Sequence, residues 1–251
     1  MEKKEYKIKS FEELLSIFDE IEFIDVQAQE DVIHSSLPLI YRGMSNINWG
    51  LKPSVGRLEN YSVDLEQELL SLFRRGARPY LEFQPRNELE WISLAQHHGL
   101  PTRLLDWTKN PLVAIFFAVE TNSQMDSVVY AMSAENIIDA SDPRNYEFSP
   151  LQYIGGAVAC FPEHLTTRII AQQGQFTLHG HPNENFDGWL KKIVIPNSVR
   201  QIVKYRLMNY GIDRSTLFPG LDGLAQAIVW EKTANKKIVR EYILSKANSS
   251  L

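Results

Sequence analysis

Apolar residues in the N-terminal half of the chain recur at the spacing of an α-helix. Ser10 and Glu13 form the pattern of a capping box, and Leu14, Ile17 and Phe18 follow on one helical face. The predicted helices of this half begin at Ser10, Ser62, Glu88 and Pro111. This half is therefore expected to be mainly helical, apart from a strand predicted over residues 37–43.

The stretch between the last two of these helices has clear boundary signals at both ends. Gly99 suits the left-handed position that follows a helix end, and Pro101 prevents the helix from continuing. Asn110 is a good N-cap, and Pro111 suits the first helical position. The polar and aromatic residues between these boundaries are Thr102, Arg103, Asp106, Trp107 and Thr108. Because both flanking elements end firmly, a binding site is readily preorganised here.

The C-terminal half changes to short apolar runs of strand length. Predicted strands cover residues 127–132, 155–161, 167–171, 175–178 and 190–195, and predicted helices cover residues 198–210 and 221–232. Helices that precede strands, without strict alternation, favour an α+β fold over a doubly wound one. We therefore predict a single α+β domain, with N-terminal helices packed on a mostly antiparallel sheet that is either continuous or split. The expected boundaries are an N-terminal helical extension at 1–34, the domain at 35–245 and a flexible tail at 246–251.

Composition narrows the classes of protein that fit. The chain has 251 residues, of which 44% are hydrophobic, and this is enough for one sizeable core. The formal net charge of -5 gives no global basic character of the kind that directs a protein to nucleic acid. Cys160 is the only cysteine, and no stretch has the length of a membrane span or the pattern of a signal peptide. We therefore expect a cytoplasmic protein without disulfides or membrane association.

Tyr41-Arg42-Gly43, at the end of the first predicted strand, is one candidate for chemistry. The planar fork of Arg42 suits a phosphate or a carboxylate, and Gly43 allows a ligand to approach the backbone. The alternative is an ion-paired arginine before a turn. The spacing of the three residues leaves both interpretations open.

Asp106 is a second candidate. If residues 102–108 are extended, Thr102, Asp106 and Thr108 point to the same side of the strand. Asp106 then suits acceptance of a hydrogen bond from a ribose hydroxyl, or the role of a base. The alternative is structural: Asp106 or Thr108 caps the following helix, or Asp106 pairs with Arg103.

Three glutamines around Gly174 form a third candidate: Gln172, Gln173 and Gln175. A side-chain amide both donates and accepts hydrogen bonds, so these residues suit the orientation of a substrate or the reading of a base or a nicotinamide amide. The alternative is an exposed β-bulge at Gly174 with solvated amides.

The histidines do not indicate a metal site. His97 and His98 are adjacent and point to different sides of a helix, which is not the separation of a metal-binding pair. His179 and His181 fall in a predicted loop with no carboxylate at a fixed spacing. We therefore expect no metal cofactor.

Residues 35–230 resemble the FRG domain family, which is named after its first motif. That motif stands here as Tyr41-Arg42-Gly43, with Tyr in place of Phe, and the longest similar stretch runs from Gln96 to Ala118. Residues 172–177 and 217–223 are also similar to the family. The family occurs widely in bacteria and phages, so the resemblance implies a single bacterial domain.

A second and weaker resemblance is to ADP-ribosyltransferases, which have Tyr-Arg-Gly or Tyr-His-Gly on their first core strand. This resemblance implies that Arg42 anchors NAD, that Thr102 or Thr108 lines the nicotinamide site, and that Gln172 engages the ribose or the target. The chain lacks the Ser-Thr-Ser triplet of those enzymes and has no Glu-x-Glu pair around Gln172, so it departs from the pattern of glutamate-dependent transfer.

These resemblances together predict an NAD-dependent ADP-ribosyltransferase-like enzyme, acting in phage defence or as a toxin on a protein or nucleic-acid target. The expected catalytic residues are Arg42, Asp106 and Gln172. The residues expected to contact NAD, as a substrate, are Tyr41, Arg42, Gly43, His98, Thr102, Arg103, Thr108 and Gln175. One alternative is a non-catalytic nucleic-acid or nucleotide-binding module, in which Arg42, Arg103 and Arg168 contact phosphate. A further alternative is a protein-interaction module.

Overall fold

The computed structural model describes residues 4–30, 38–82, 84–121, 123–134, 137–161, 166–188 and 190–235, together with residues 238, 240 and 242. The helices in this part of the chain are α1 (Phe11–Glu30), α2 (Val63–Ala77), α3 (Glu88–His97), α4 (Pro111–Val119), α5 (Thr167–Ala171), α6 (Asn197–Asn209), α7 (Arg214–Leu217) and α8 (Leu221–Trp230). The strands are β1 (Glu5–Lys7), β2 (Leu39–Met44), β3 (Leu104–Thr108), β4 (Ser127–Ser133), β5 (Ile138–Asp139), β6 (Ala157–Phe161), β7 (Gly174–His179) and β8 (Lys191–Ile195). The predicted tail at 246–251 lies outside the described residues.

The strands form one mixed sheet in the order β1-β8-β4-β2-β3-β7-β6-β5. The two outermost pairs, β1–β8 and β5–β6, are parallel, and the ladders between them are antiparallel. The fold is therefore the predicted α+β class with a mostly antiparallel sheet. No helix within the described ranges is long and apolar enough to cross a membrane.

The sheet is nearly divided in its middle. Strand β2 pairs with β4 at six positions, and β3 pairs with β7 at five. Between β2 and β3, however, the only paired position in the described chain is Tyr41 with Thr108. We call this junction the seam. The seam joins the half β1-β8-β4-β2 to the half β3-β7-β6-β5. The strands therefore form one connected sheet, but the described parts of the two halves are paired at a single position where they meet.

The helices that cover the sheet fall into two groups. One core cluster joins α1, α4 and α6 to β2, β4 and β8, with Phe11, Tyr41 and Phe116 among its buried side chains. A second joins α3 to the other half of the sheet, through Ile92 and Phe176. Because Tyr41 pairs with Thr108 at the seam, the register places both clusters on the same face of the sheet. On that face of the sheet, the seam therefore lies between the two groups of helices.

The predicted helix boundaries around residues 98–111 are confirmed. Gly99 has a φ of +87°. The Leu100 N–H donates to the Ala95 carbonyl at 2.9 Å, and the Gly99 N–H donates to the Gln96 carbonyl at 2.9 Å, which together make a Schellman motif. The Asn110 side chain accepts from the Leu112 N–H at 2.9 Å. Local chemistry therefore fixes where α3 ends and where α4 begins.

The strand predicted over residues 167–171 is wrong, because this segment forms helix α5. The β-branched residues Ile169 and Ile170 favour a strand, but the Thr166 side chain caps a helix by accepting from the Ile169 N–H at 3.2 Å. One helical turn buries Ile169 and leaves Ile170 exposed. The cap and this one-sided burial override the local strand preference.

Helix α4 is anchored at its C-terminal end by side chains of α6. At its C-terminus, Arg200 of α6 donates to the Ala118 carbonyl at 3.1 Å and to the Ser45 carbonyl at 2.8 Å. Lys204 donates to the Glu120 carbonyl at 3.0 Å. Cationic donors at a helix C-terminus satisfy the free carbonyls and the negative end of the dipole. These contacts hold α4 against the seam.

Candidate functional site

A cavity of about 500 Å³ opens at the seam. Its lining includes Tyr41 and Asp106, which face the helical side of the sheet, and also Arg42 and Trp107, which alternate with them and face the other side. The cavity therefore passes between β2 and β3, where the strands separate beyond their single paired position. The volume is in the range of small-molecule and cofactor sites.

Arg42 crosses the gap between the two strands. Its Nη1 donates to the Asp106 carbonyl at 2.5 Å and lies 3.7 Å from Asp106 Oδ2. Its side chain is 17% exposed, and its Nε is buried without a hydrogen-bond partner. Burial lowers the pKa of Arg42, and the negative charge of Asp106 opposes that shift. The guanidinium thus replaces a missing ladder contact and keeps one N–H available to a ligand.

Asp106 presents its carboxylate to the open part of the cavity, with a side chain 63% exposed. Its second carboxylate oxygen, Oδ1, accepts from Gln96 Nε2 at 3.2 Å. The other end of that amide accepts from the Thr102 hydroxyl. Asp106 is thus held between Arg42 and Gln96 in an orientation that suits stabilisation of positive charge. Sequence reasoning gave Gln96 no role, because its partner is set by the bend between α3 and β3.

The two predicted glutamines, Gln172 and Gln175, line the same cavity with different roles. Gln172 is held by two hydrogen bonds. Its side-chain Nε2 donates to the Leu217 carbonyl at 3.0 Å, and its backbone carbonyl accepts from the Thr108 hydroxyl at 2.7 Å. Gln175 is only 3% exposed, and its Oε1 has no hydrogen-bond partner. Gln172 lies at the end of α5 and not on a strand.

The β-bulge considered at Gly174 is not observed, and the chain turns one residue earlier, at Gln173. Gln173 has the positive φ, at 46°, while Gly174 is the first residue of β7 and pairs with Thr108. The Gln173 carbonyl accepts from the Lys109 N–H at 3.1 Å. This contact holds the turn that brings Gln172 and Gln175 onto the wall of the cavity.

Three of the predicted contact residues lie outside the cavity lining: Thr102, Arg103 and His98. The Thr102 hydroxyl donates to Gln96 and is buried. His98 is exposed at the end of α3. The structure therefore unites Tyr41, Arg42, Gly43, Asp106, Thr108, Gln172 and Gln175, and places these three elsewhere.

Arg103 is paired with Glu66, and the suggested pair with Asp106 does not form. Arg103 Nη2 lies 2.8 Å from Glu66 Oε2, and its Nε lies 3.0 Å from Oε1, with both side chains buried. Its Nη1 donates to the Pro150 carbonyl at 2.9 Å. Such a buried, multiply bonded pair supports the fold and leaves little of the guanidinium for a ligand.

The absence of a side chain at Gly43 allows helix α4 to pack closely on β2. The sequence had predicted that a ligand would approach the backbone at this position. A Cβ at this position would lie 1.8 Å from the Ala114 carbonyl oxygen and 2.7 Å from the Ala118 nitrogen of α4. The backbone of α4 therefore packs directly on β2. This close packing sets the wall of the cavity beside Arg42.

Several lining residues were given no contact with NAD by the sequence reasoning. Arg57, Arg168 and His97 add polar groups, and Trp49 and Phe117 add aromatic ones. Burial lowers the pKa of His97, and the nearby His98 and Arg168 lower it further, so the neutral form is favoured. The guanidinium of Arg168 lies 4.5 Å from the centre of the Phe218 ring. These residues come from loops and helices whose meeting point no local pattern reveals.

A buried hydrogen-bond chain lies along the strand wall. Trp107 Nε1 donates to the Thr177 hydroxyl at 2.9 Å, and that hydroxyl is 2.8 Å from His179 Nε2. The hydroxyl donates to His179 Nε2 in the tautomer in which that nitrogen is unprotonated, and it accepts from Nε2 in the other tautomer. His179 ends strand β7 and is buried, although the sequence predicted a loop there.

The residues available for metal binding are few. Among the described residues, no group of three or more His, Cys, Asp or Glu side chains is arranged to hold a metal ion. The single thiol, Cys160, is buried, and burial raises its pKa to about 12. The polar side chains that line the cavity carry guanidinium, carboxylate, amide, imidazole and hydroxyl groups.

The fold and the site together define an α+β domain with a polar cavity at a sheet seam. Residues 38–127 match the model of the FRG domain family. This match covers β2 to the start of β4, and with it Arg42 and Asp106. Gln172 and Gln175 lie beyond it. No curated protein and no solved structure matched the chain.

Proposed function

We propose that this FRG-domain protein is an NAD-dependent ADP-ribosyltransferase-like enzyme that serves in bacterial phage defence or as a toxin. The observation that carries the proposal is the meeting of three separate segments: Arg42, Asp106 and the pair Gln172 and Gln175 line one cavity. The order of these segments along the chain supports the same class of enzyme by resemblance.

The charges around the cavity favour an anionic ligand. Three arginines, Arg42, Arg57 and Arg168, and one aspartate, Asp106, line it, while the whole chain has a formal net charge of -5. A local positive excess on an acidic protein concentrates and orients an anion such as a pyrophosphate. The guanidinium fork of Arg42 suits phosphate oxygens or a ribose hydroxyl.

The reaction needs little covalent chemistry from the protein. The bond between ribose C1′ and the nicotinamide nitrogen breaks, and its electron pair leaves with nicotinamide. The carboxylate of Asp106 stabilises the positive charge that develops on the ribose. An acceptor then forms a bond to C1′, and its proton passes to Asp106 or to water. Gln172, fixed by the Leu217 carbonyl, orients the ribose or the acceptor.

Nicotinamide release and NAD binding test the proposal separately. For Asp106→Asn we expect about a hundredfold loss of nicotinamide release and nearly unchanged NAD affinity, because a transition-state interaction is removed.

For Arg42→Gln we expect about tenfold weaker NAD binding by calorimetry, because a charge-assisted contact is lost. Asp222→Asn and Arg144→Gln, both at exposed positions outside the cavity, are the matched controls. Wild-type protein that neither retains NAD nor releases nicotinamide in the presence of cell extract contradicts the proposal.

A second candidate is a nucleotide- or nucleic-acid-binding module without catalysis. Trp49 favours it, because this residue is 54% exposed and stands at the cavity beside the arginines, where a base can stack. Salt-dependent binding of oligonucleotides that Trp49→Ala abolishes, with no nicotinamide release from NAD, would support this function instead.

A further inference from the structure

Gln175 is an unsatisfied polar group in the wall of the cavity. The side chain is 3% exposed, and its Oε1 is fully buried without a hydrogen-bond partner. Buried amide oxygens in folded proteins nearly always have a donor, so such an atom in a ligand-sized cavity indicates a donor that the ligand brings.

A donor without a partner lies in the same cavity. Arg42 Nε is also buried and unpartnered. Gln175 pairs with Trp107 across β3 and β7, and the seam pair of Tyr41 with Thr108 brings Arg42 to the same cross-strand row. Residues in one row point to the same face of a sheet. A ring on the Trp107 side of the cavity is thus flanked by one free acceptor and one free donor.

We infer that Gln175 selects a primary carboxamide on the ligand, and this inference rests on the proposed use of NAD. A carboxamide has both an NH₂ donor and a carbonyl acceptor, and its NH₂ can donate to Gln175 Oε1 in the orientation that this amide has in the structure. A carboxylate in the same place has no hydrogen to donate and repels the buried Oε1. Gln175 therefore separates nicotinamide dinucleotides from their nicotinic acid counterparts.

The position of Asp106 assigns this row to the nicotinamide end of NAD. Adenine also offers a donor beside an acceptor, so hydrogen bonding by itself does not choose between the two rings. Asp106 leaves β3 on the opposite face from Trp107, but it lines the same cavity, and its Oδ2 lies 3.7 Å from Nη1 of Arg42, a member of this row. Its carboxylate favours the cationic pyridinium ring over the neutral adenine.

Calorimetric titration with four dinucleotide probes tests the inference. The probes are NAD, nicotinic acid adenine dinucleotide, nicotinamide hypoxanthine dinucleotide and ADP-ribose, which lacks nicotinamide. The proteins are wild type, Gln175→Leu, Gln175→Glu and the matched control Gln201→Leu, which changes an exposed glutamine of α6. Circular dichroism verifies the fold of each variant. If Gln175→Leu does not fold, Gln175→Met, which also removes the amide and keeps the length of the side chain, takes its place.

We expect wild-type protein to bind NAD about tenfold or more tightly than the nicotinic acid analogue, the effect of one buried hydrogen bond made or lost. Gln175→Leu should abolish this preference and leave ADP-ribose affinity unchanged within about twofold. Gln175→Glu and Gln201→Leu should both keep the preference, because Glu still accepts from the carboxamide NH₂ and still repels a carboxylate.

Four results overturn the inference. Discrimination against the hypoxanthine probe in place of the nicotinic acid probe would assign Gln175 to adenine. An equal loss of ADP-ribose and NAD binding in Gln175→Leu would make the residue merely structural. Wild-type protein that binds NAD without any preference would remove the role of Gln175 and leave the proposed function standing. Failure of wild type to bind both NAD and ADP-ribose removes the proposed function itself, and the inference with it.

Discussion

At the scale of single residues, Arg42 and Arg103 show two opposite uses of a guanidinium. Arg103 is saturated by Glu66 and by backbone carbonyls in the interior. Arg42 bonds the backbone of the neighbouring strand and still has a buried Nε without a partner beside the cavity. The first arrangement supports the fold, and the second leaves capacity for a ligand.

This contrast predicts different stabilities for two variants. Arg103→Met leaves the buried Glu66 carboxylate without its partner and should lower the free energy of unfolding by about 3–5 kcal/mol. Asp106→Asn changes a carboxylate that is itself mostly exposed and should cost less than about 1 kcal/mol. Urea unfolding followed by circular dichroism measures both. The double variant Arg103→Met with Glu66→Met should recover most of the loss.

A different ranking of these variants would change the interpretation of the polar strip. If Asp106→Asn destabilises as much as Arg103→Met, the strip from Thr102 to Thr108 is a structural element of an interaction module. The site would then lose its central carboxylate.

His179 gives the protein a specific pH dependence. Burial, together with the positive charge of Arg42, lowers the pKa of His179 from 6.5 to about 4. The unfolded chain therefore binds this proton below about pH 6.5, while the folded chain resists it until about pH 4. The stability associated with neutral His179 is fully present above pH 6.5 and decreases as the pH falls towards 4, by roughly 3 kcal/mol in total.

His179→Gln isolates this contribution from the carboxylates that titrate nearby. The variant should lose less stability than wild type between pH 7 and pH 4, and the difference is read from urea midpoints at matched pH. Parallel curves for the two proteins would show that His179 is not a neutral buried group.

At the scale of elements, helix α4 depends on one close contact with strand β2. A side chain at Gly43 meets the α4 backbone at Ala114, whereas a side chain at Gly99 meets nothing within 4 Å and only strains a φ of +87°. Backbone atoms cannot rotate away as a side chain can, so Gly43→Ala requires α4 to shift.

We therefore expect Gly43→Ala to be the more destabilising of the two glycine substitutions. It should cost about 1–3 kcal/mol and distort the cavity wall, while Gly99→Ala should cost about 1 kcal/mol and leave ligand affinity unchanged. Urea unfolding and NAD calorimetry on both variants provide the measurement. Equal effects on binding would show that α4 does not set the cavity wall.

The same elements show what local sequence can and cannot predict. Asn110, Pro111 and Gly99 act within one turn of their own positions, so the ends of α3 and α4 follow from their neighbours. The structure of residues 167–171 could not be predicted in the same way, because a threonine cap and burial on one side favour a helix over the strand that the local sequence predicts. The partner of Arg103 is Glu66 on α2, and no local pattern encodes a contact between separate elements.

At the scale of the whole molecule, the α+β class and the mostly antiparallel sheet were predictable from the order of helices and strands. The strand order was not, because pairing between distant segments depends on tertiary packing. Arg42, Asp106 and Gln172 were selected from motifs and do line one cavity, whereas Gln96, Arg57 and Trp49 join them through loops and bends. The charge of the cavity was not predictable from composition either. The chain has a negative formal net charge, whereas the cavity lining has more arginines than carboxylates.

The seam also defines an axis. In the part of the sheet that the structure describes, one ladder pair, Tyr41 with Thr108, and the side chain of Arg42 link the two halves. The ladders on either side of the seam are six and five pairs long. Rotation of one half against the other therefore disrupts fewer backbone hydrogen bonds here than at either neighbouring ladder. Such a rotation changes the width of the cavity and leaves both halves intact, so the seam is the natural hinge for any induced fit in this domain.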